Sequence, residues 1–214
     1  MQDRDKLFEF NAISGHQHQS LLSGLTRAVQ NSIPVLMTEP LAIDREMDIL
    51  MLVARYDNGY WVKTSHEHRN TSKLHVPDAE DSLSSMKYAK ALIEIGSESS
   101  ALYEKAVGHR LELIPLSDPF SLKPGDALKI RVQFDGKPLA GVSVEIGDGE
   151  TPMEETQIPR YPTDELGITA VPISKSGLQL IVVDYRVASS HPDLAAHELH
   201  NATLSFVLPL IESR

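Results

Sequence analysis

Alternating apolar and polar positions mark the second half of the chain as rich in β-strands. Over residues 128–134 large apolar side chains alternate with Lys, Arg and Gln, which predicts a half-buried strand. Asp135-Gly136 follows as a turn signal, because glycine accepts a positive φ without steric cost, and the alternation resumes over residues 142–146. This stretch therefore predicts a β-hairpin.

Three further strand patterns follow towards the end of the chain, over residues 168–173, 178–187 and 202–208. From Leu111 onward we expect about six strands, separated by turns that contain Gly, Pro and Asp. Several short strands at this spacing, with no helical period between them, are typical of an antiparallel β-sandwich.

The first half of the chain has a less regular pattern. Residues 33–38 and 48–56 predict strands, and Asp57-Asn58-Gly59 predicts a tight turn that leads into a partner strand over residues 60–64. The aromatic pair Tyr60-Trp61 lies in that second strand.

Two other stretches of the first half carry apolar residues at helical spacing. One covers residues 21–29 behind a possible N-cap at Ser20, and the other covers residues 82–95 behind Asp81 or Ser82. The polar segments 65–81 and 96–108 lie between the patterned stretches and predict surface connections.

These elements predict a mainly β protein with one or two short helices. We expect two β-sandwich modules: a β-rich module over residues 1–108 with a helix near 82–95, and a second sandwich over residues 109–214. By resemblance, these modules look like immunoglobulin-like or prealbumin-like sandwiches. The segment 96–108 marks the predicted boundary, because it lacks a strand period.

Composition and charge exclude several classes of function. The chain has 214 residues, 30 acidic and 20 basic side chains, a net charge of −10 and no cysteine. An acidic chain without a basic patch is a poor partner for nucleic acid, and a chain without cysteine has no disulfide, thiolate ligand or thiol nucleophile. No apolar run is long enough to span a bilayer, and the first residues do not predict a signal peptide.

Histidine pairs are the strongest signal for chemistry. Six of the nine histidines lie in close pairs, and imidazole is a common ligand for zinc, nickel and copper. His16 and His18 follow Gly15, which permits a tight turn that could present both rings. His197 and His200 have the i, i+3 spacing that places two side chains on one face of a helical turn. We therefore expect His16, His18, His197 and His200 to be the metal ligands.

The remaining histidines have a simpler interpretation. His66 and His68 lie in a polar segment and are better explained as solvated loop residues, with a ligand role as the alternative. The isolated His75, His109 and His191 are expected to be surface or structural histidines.

Sequence patterns of enzymes are missing from the chain. His197-Glu-Leu-His200 is one residue short of the metalloprotease pattern, and there is no nucleophile elbow, phosphate loop or dinucleotide fingerprint. We therefore expect a protein that is not an enzyme. Tyr60 and Trp61 could form a surface for a partner, although an aromatic anchor of the core is the alternative explanation for Trp61.

Several segments together resemble a bacterial periplasmic family of unknown function, described as the periplasmic component of cobalt and nickel uptake systems, the nickel uptake substrate-specific family. The resemblance rests on residues 56–64 with 70–73, 86–92, 111–116 with 122–126 and 134–141, and 202–209. The turn-and-strand order of the second half also looks like a transthyretin-like or prealbumin-like sandwich.

The resemblance implies an exported periplasmic binding protein that handles nickel or cobalt for a membrane transporter component. Zinc would suit the same donors. Gly15-His16 looks like a Gly-His pair near the start of the family's members, and His200 looks like a histidine before their last strand. We expect His16 and His200 to meet at one ion. The alternative is an adhesion or scaffold module that binds a protein or glycan and has no metal role.

Overall fold

β-Sheets make up most of the described part of the chain, and their strand pairings are antiparallel except for one. The computed structural model describes residues 4–15, 17–43, 48–96, 100–147 and 154–209. Their strands are Leu7–Ser14 (β1), Gln17–Ser20 (β2), Thr26–Gln30 (β3), Ile33–Met37 (β4), Ile49–Lys63 (β5), His68–Arg69 (β6), Asp81–Glu94 (β7), Leu111–Pro115 (β8), Ala127–Phe134 (β9), Lys137–Pro138 (β10), Ser143–Gly147 (β11), Arg160–Pro162 (β12), Ile168–Pro172 (β13), Gly177–Ala188 (β14) and His197–Leu208 (β15).

Helical structure in the described residues is limited to single turns of 3-10 helix. These turns are Arg4–Lys6, Leu22–Gly24, Lys73–His75, Ala101–Glu104, Pro119–Ser121 and Glu155–Gln157. None of the helices in this part of the chain is long and apolar enough to cross a membrane. The mainly β fold class predicted from the sequence is confirmed.

Two sheets face each other across the core. The large sheet has nine strands in the order β12-β11-β14-β15-β7-β5-β1-β2, with β6 added at the end of β5. The small sheet has four strands, in which β9 lies between β8 on one side and β13 with β10 on the other. The hairpin β3–β4 forms a separate two-stranded sheet.

The core fills the space between the large and small sheets. In β9 the side chains of Leu128, Ile130 and Val132 are fully buried, as the alternation predicts. In β15 the even-numbered residues from His200 to Leu208 are buried, and they define the inner face of the large sheet. A strand with one buried face and one exposed face explains this period of two.

Strands from both sides of the predicted domain boundary pair in the large sheet. β1, β2, β5, β6 and β7 precede residue 108, and β11, β12, β14 and β15 follow it. β7 and β15 join the two groups through a parallel pairing that runs from His197 beside Leu83 to Ser205 beside Ala91. Residues 1–108 and 109–214 thus share one sheet among the described strands.

Both predicted helices are wrong. Residues 82–95 form most of β7, and residues 21–29 form a single 3-10 turn followed by β3. The side chains that β7 buries include the polar Ser82, Ser85 and Lys90. Because the polar Ser82 and Lys90 occupy inward positions, the apolar residues alone produced a misleading helical period.

The predicted hairpin at Asp57-Asn58-Gly59 is also wrong. β5 continues through these residues as one strand, and its register against β7 shifts between Asp57 and Gly59. The Gly59 N–H donates to Oδ1 of Asp57 at 2.8 Å, and Gly59 has a φ of +78°. The same turn chemistry therefore makes a β-bulge, which re-aims the side chains around it.

The second predicted hairpin, across Asp135-Gly136, is half correct. The turn at Asp135-Gly136 is present, but it leads from β9 into the short β10, which pairs back on β9 in place of the predicted strand over residues 142–146. The following strand β11 instead crosses to the large sheet, where it pairs with β12 and β14. Alternation alone identifies a strand but not the sheet to which it belongs.

Candidate functional site

A cleft of about 430 Å³ opens at one end of the inner face of the large sheet. It lies where β5, β7 and β15 meet the segment that leads into β8. We name it the His200 cleft and define it by the side chains that carry its chemistry: Arg55, Tyr60, Tyr88, Arg110, Glu198 and His200.

His200 is the buried histidine of this cleft. It lies in β15 beside Met86 of β7, and only 3% of its surface is exposed. Its Nδ1 and the hydroxyl of Tyr88 are 3.2 Å apart and share a hydrogen bond. Its Nε2 is buried without a hydrogen-bond partner among the described residues, and lies 3.4 Å from Oε2 of Glu198.

Glu198 precedes His200 by two residues, so the strand places both side chains on the same face. Its Oε1 accepts hydrogen bonds from the Ser190 hydroxyl at 2.6 Å and the Ser190 N–H at 2.9 Å. Its Oε2 accepts from Arg110 at 3.0 Å. These hydrogen bonds, those of Ser190 first, lower the pKa of Glu198 to about 2, so it is a carboxylate at neutral pH.

Arg110 closes the cleft from the side of the small sheet. Besides Glu198, its guanidinium donates two hydrogen bonds to Asp135, at 2.8 and 3.2 Å. It also lies 5.0 Å from the centre of the Phe134 ring. Arg110 is thus held from three sides, and its charge is balanced by two carboxylates.

Tyr88 and His109 extend the buried polar cluster away from the cleft. Burial raises the pKa of Tyr88 to about 12, so its hydroxyl stays protonated. The His109 ring lies 5.2 Å from the Tyr88 ring, and its Nε2 is 3.2 Å from Oε2 of Glu9. The rings of His109 and His200 therefore both lie next to the ring of the buried Tyr88.

A buried ion pair anchors the segment that carries His109 and Arg110. Nζ of Lys90 donates to Oε1 of Glu112 at 2.7 Å, and both side chains are 3% exposed. Glu112 also accepts from the backbone N–H groups of Val107 at 2.7 Å and Gly108 at 3.1 Å. The pair ties this segment to β7 in the centre of the large sheet.

The structure separates the predicted histidine ligands. His18 lies exposed in β2, in the row of Leu92 of β7, whereas His200 lies beside Met86. Six residues along a strand correspond to roughly 20 Å, so His18 and His200 do not meet. His16 is outside the described residues, and its meeting with His200 stays a prediction.

His197 and His200 also point apart. The expected helical turn is wrong, because both residues belong to β15, where an i, i+3 spacing places side chains on opposite faces. His197 lies on the outer face, with its Nδ1 at 2.6 Å from Arg186. In the part of the chain that the structure describes, no three His, Asp or Glu residues form a group that could hold a metal ion.

The other predicted site residues lie at the surface or at the cleft. His66 and His68 are exposed near β6. Tyr60 contributes to the His200 cleft. Trp61 is half-buried, and its ring N–H donates to the carbonyl of Asn58 at 3.0 Å, so it braces the bulge in β5.

A second, wider groove of about 570 Å³ lies on the outer face of the large sheet, below the β3–β4 hairpin. Lys87 is the one charged side chain that lines it in the described part of the chain. The buried Lys90, Glu112 and His200 lie on the other face, and we therefore place the candidate site in the His200 cleft.

The buried histidines make stability depend on pH in a testable direction. Burial lowers the pKa of both His109 and His200 below the usual 6.5. Below that pH the unfolded chain binds protons that the folded protein does not, so the free energy of unfolding falls as the pH drops. We expect a slope of up to about 1.4 kcal/mol per pH unit for each ring.

Chemical denaturation between pH 5 and 7.5 measures this slope. His200→Gln removes one of the two rings and should flatten the curve, whereas the exposed His68→Gln should leave it unchanged. Glu198 does not titrate in this range, since its pKa is about 2. An unchanged slope in His200→Gln would show that the ring is not held neutral by burial.

Comparison with known proteins places the chain in a family. Residues 36–187, more than half of the chain, match a family described as a domain of unknown function, DUF4198. The chain belongs to the DUF4198 family. The match includes Arg55, Tyr60, Tyr88 and Arg110 of the cleft, while Glu198 and His200 follow it.

A relative of this DUF4198 protein is an uncharacterized protein of Haemophilus influenzae. The two are 31% identical over 99 residues, which cover 46% of this chain and 40% of the relative. The matched region thus spans less than half the length of this curated relative. The predicted membership in a family of unknown function is confirmed, and the role in nickel or cobalt uptake belongs to the proposal below.

The cleft residues that sequence analysis missed are Arg55, Tyr88, Arg110 and Glu198. Tyr88 was missed because residues 82–95 were predicted to form a helix. Arg110 was missed because it lies outside every predicted strand. Glu198 was detectable in principle, since Glu198 and His200 alternate in phase with the buried residues of the last strand. That phase becomes visible only when the strand is extended back to His197.

Proposed function

We propose that the protein is a non-catalytic, periplasmic binding protein that takes up a divalent transition metal ion, nickel or cobalt, for a membrane transporter component. The observation that carries the proposal is the buried Nε2 of His200, which has no hydrogen-bond partner among the described residues and lies 3.4 Å from Oε2 of Glu198. A buried polar atom without a hydrogen-bond partner is unusual in a folded protein, and a bound ion would give Nε2 the missing partner.

The chemistry of these two donors suits the ion. Imidazole nitrogen and carboxylate oxygen both bind nickel, cobalt and zinc. Their separation matches roughly the edge of a tetrahedron with metal–ligand bonds of about 2.1 Å. When the ion binds to Nε2, the ring hydrogen is on Nδ1. The Tyr88 hydroxyl oxygen can then accept a hydrogen bond from this Nδ1–H group. The ion would compete with Arg110 for Oε2 of Glu198.

A thermal melt with added metal tests this proposal. Protein without a histidine tag is melted with nickel, cobalt or zinc, each at about 100 times its dissociation constant, which stabilises the folded chain by about 2.7 kcal/mol. For a chain of this size we expect the Tm to rise by about 5–10 °C. His200→Gln and Glu198→Gln should lose the rise, and the exposed His68→Gln should keep it.

The same melt separates the proposal from its alternative. An adhesion or scaffold module has no preferred metal and predicts an unchanged Tm with all three ions. An unchanged Tm in the unmodified protein would therefore contradict the proposed function. A rise that His200→Gln retains would place the ion at other donors and contradict the assignment to this cleft.

A further inference from the structure

The His200 cleft is larger than an ion requires. Its volume of about 430 Å³ lies within the range of sites for small organic molecules, roughly 300–1,000 Å³. Phe8, Met86 and Leu199 give it an apolar wall, and the ring of Phe8 is 53% exposed. An apolar wall with a few convergent polar groups is typical of a small-molecule site.

Arg55 is the positively charged side chain of this cleft that can pair with a ligand. It lies in β5 beside Tyr88 of β7, is exposed, and has no hydrogen bond or ion pair with another described residue. Nearby, Oδ1 of Asp57 already accepts the N–H of Gly59. Arg110 is occupied by Asp135 and Glu198, so Arg55 is the guanidinium that can pair with a ligand.

His200 is the buried polar group of the cleft, and its ring is directed at Glu198. Its side chain is 4% exposed, and Nε2 faces the Glu198 carboxylate at 3.4 Å. A lone pair on Nε2 would repel that carboxylate. We therefore infer that in the metal-free protein Nε2 carries the hydrogen and Nδ1 accepts a hydrogen bond from the Tyr88 hydroxyl. The hydrogen on Nε2 is directed at Glu198, so Arg55 is the donor that a ligand in the cleft meets. The ligand group that fits Arg55 is an acceptor.

Charge in the cleft selects the kind of acceptor. Asp57 and Glu198 line the same cleft as Arg55 and Arg110. The two carboxylates repel a dianion such as phosphate more strongly than a group with a single negative charge, which can pair with Arg55. A planar carboxylate also matches the two parallel N–H groups of a guanidinium.

We propose that the His200 cleft binds a small organic monocarboxylate, whose charged group pairs with Arg55 and whose apolar body packs on Phe8 and Met86. This site requires no metal ion. It adds a second class of ligand to the cleft, beyond the ion of the proposed function, and it is tested separately.

Calorimetric titration in the presence of EDTA tests the proposal with defined probes. Hexanoate, phenylacetate and indole-3-acetate are compared with their neutral amides and with inorganic phosphate. We expect at least one of the acids to bind with a dissociation constant below about 1 mM, its amide to bind at least tenfold more weakly, and phosphate not to bind.

Two variants and one matched control locate the bound acid. Arg55→Gln should weaken binding at least tenfold, and Phe8→Ser should weaken it as well. Lys87→Gln replaces an exposed cation on the outer face of the same sheet and should leave binding unchanged. Arg55, Phe8 and Lys87 are all exposed, so these replacements preserve the fold.

Several results would overturn the proposal: no binding of any acid, equal binding of acid and amide, tighter binding of phosphate, or full affinity in Arg55→Gln. Because EDTA removes free metal, none of these results bears on the metal-dependent rise in Tm. The two proposals can therefore fail independently.

Discussion

Replacing Lys90 by methionine is expected to lower the free energy of unfolding by about 3–5 kcal/mol. The replacement leaves the carboxylate of Glu112 buried without its cation, since Lys90 and Glu112 form an ion pair that is almost fully removed from solvent. The carbonyls of Lys105 and Leu113 also lose a donor at 3.2 Å each. Domains of this size have about 5–15 kcal/mol of stability in all, so the loss is large.

Urea unfolding measures this effect, and two further variants identify its cause. The double variant Lys90→Met/Glu112→Gln should be more stable than Lys90→Met alone. Its neutral amide oxygen can still accept from one of the two N–H groups, that of Val107 or that of Gly108, and the side chain carries no uncompensated charge. Lys87→Met changes an exposed lysine of the same strand and should shift stability by less than about 0.5 kcal/mol. A Lys90→Met protein as stable as Lys87→Met would refute this explanation.

The Gly167→Ala replacement is expected to destabilise the protein by about 2–5 kcal/mol, from backbone strain and from a steric clash together. Gly167 has a φ of +71°, which an L-residue adopts at a cost. A Cβ there would lie 2.6 Å from the Val132 carbonyl oxygen and 2.8 Å from the Leu139 nitrogen. Both atoms belong to the backbone, so neither can move without disturbing the small sheet.

Gly136→Ala is the matched control for this prediction. Gly136 has nearly the same φ, +73°, but its Cβ would meet nothing within 4 Å. It should therefore show only the cost of the left-handed backbone, about 1–2 kcal/mol. The difference between the two variants in urea unfolding measures the clash. An equal loss of unfolding free energy in the two variants would contradict the predicted clash, because it would mean that the backbone around Gly167 shifts at little cost.

Much of the strand content could be predicted from the sequence, because β9, β13, β14 and the second half of β15 have one buried face. Alternation then reports burial directly. β7 escaped prediction because its inward positions include the polar Ser82 and Lys90. Lys90 faces inward only because Glu112, which follows it by 22 residues, neutralises it. A pattern within one strand contains no information about such a distant partner.

The turn signals show a second limit of sequence prediction. Asp57-Asn58-Gly59 and Asp135-Gly136 have similar turn chemistry, yet the former is a bulge in β5 and the latter a true turn. The difference is that β7 pairs with β5 on both sides of the bulge. Pairing with β7 therefore decides whether this segment forms a bulge or a hairpin turn, and the local sequence does not specify that pairing.

Of the residues that define the candidate site, His200 and Tyr60 were named from the sequence. The partners of His200 in the cleft come from three other parts of the chain, Tyr88 from β7, Arg110 from the segment before β8, and Arg55 from β5. The parallel pairing of β7 with β15 brings His200 close to Tyr88 across 112 positions in the sequence. Histidine pairs that are close in sequence were a poor guide, since strand geometry separates His197 from His200.

The most direct test of the metal proposal is an NMR titration of the histidine side chains with zinc, which is diamagnetic. Nitrogen-15 spectra distinguish the two ring nitrogens and the tautomer of each imidazole. Before zinc is added, we expect the hydrogen of His200 to be on Nε2. On addition, Nε2 of His200 should shift first as the ring becomes a ligand, while exposed His66 and His68 respond only at higher concentrations. A His200 signal that stays unchanged while the exposed histidines bind zinc would contradict the assignment of the ion to this cleft.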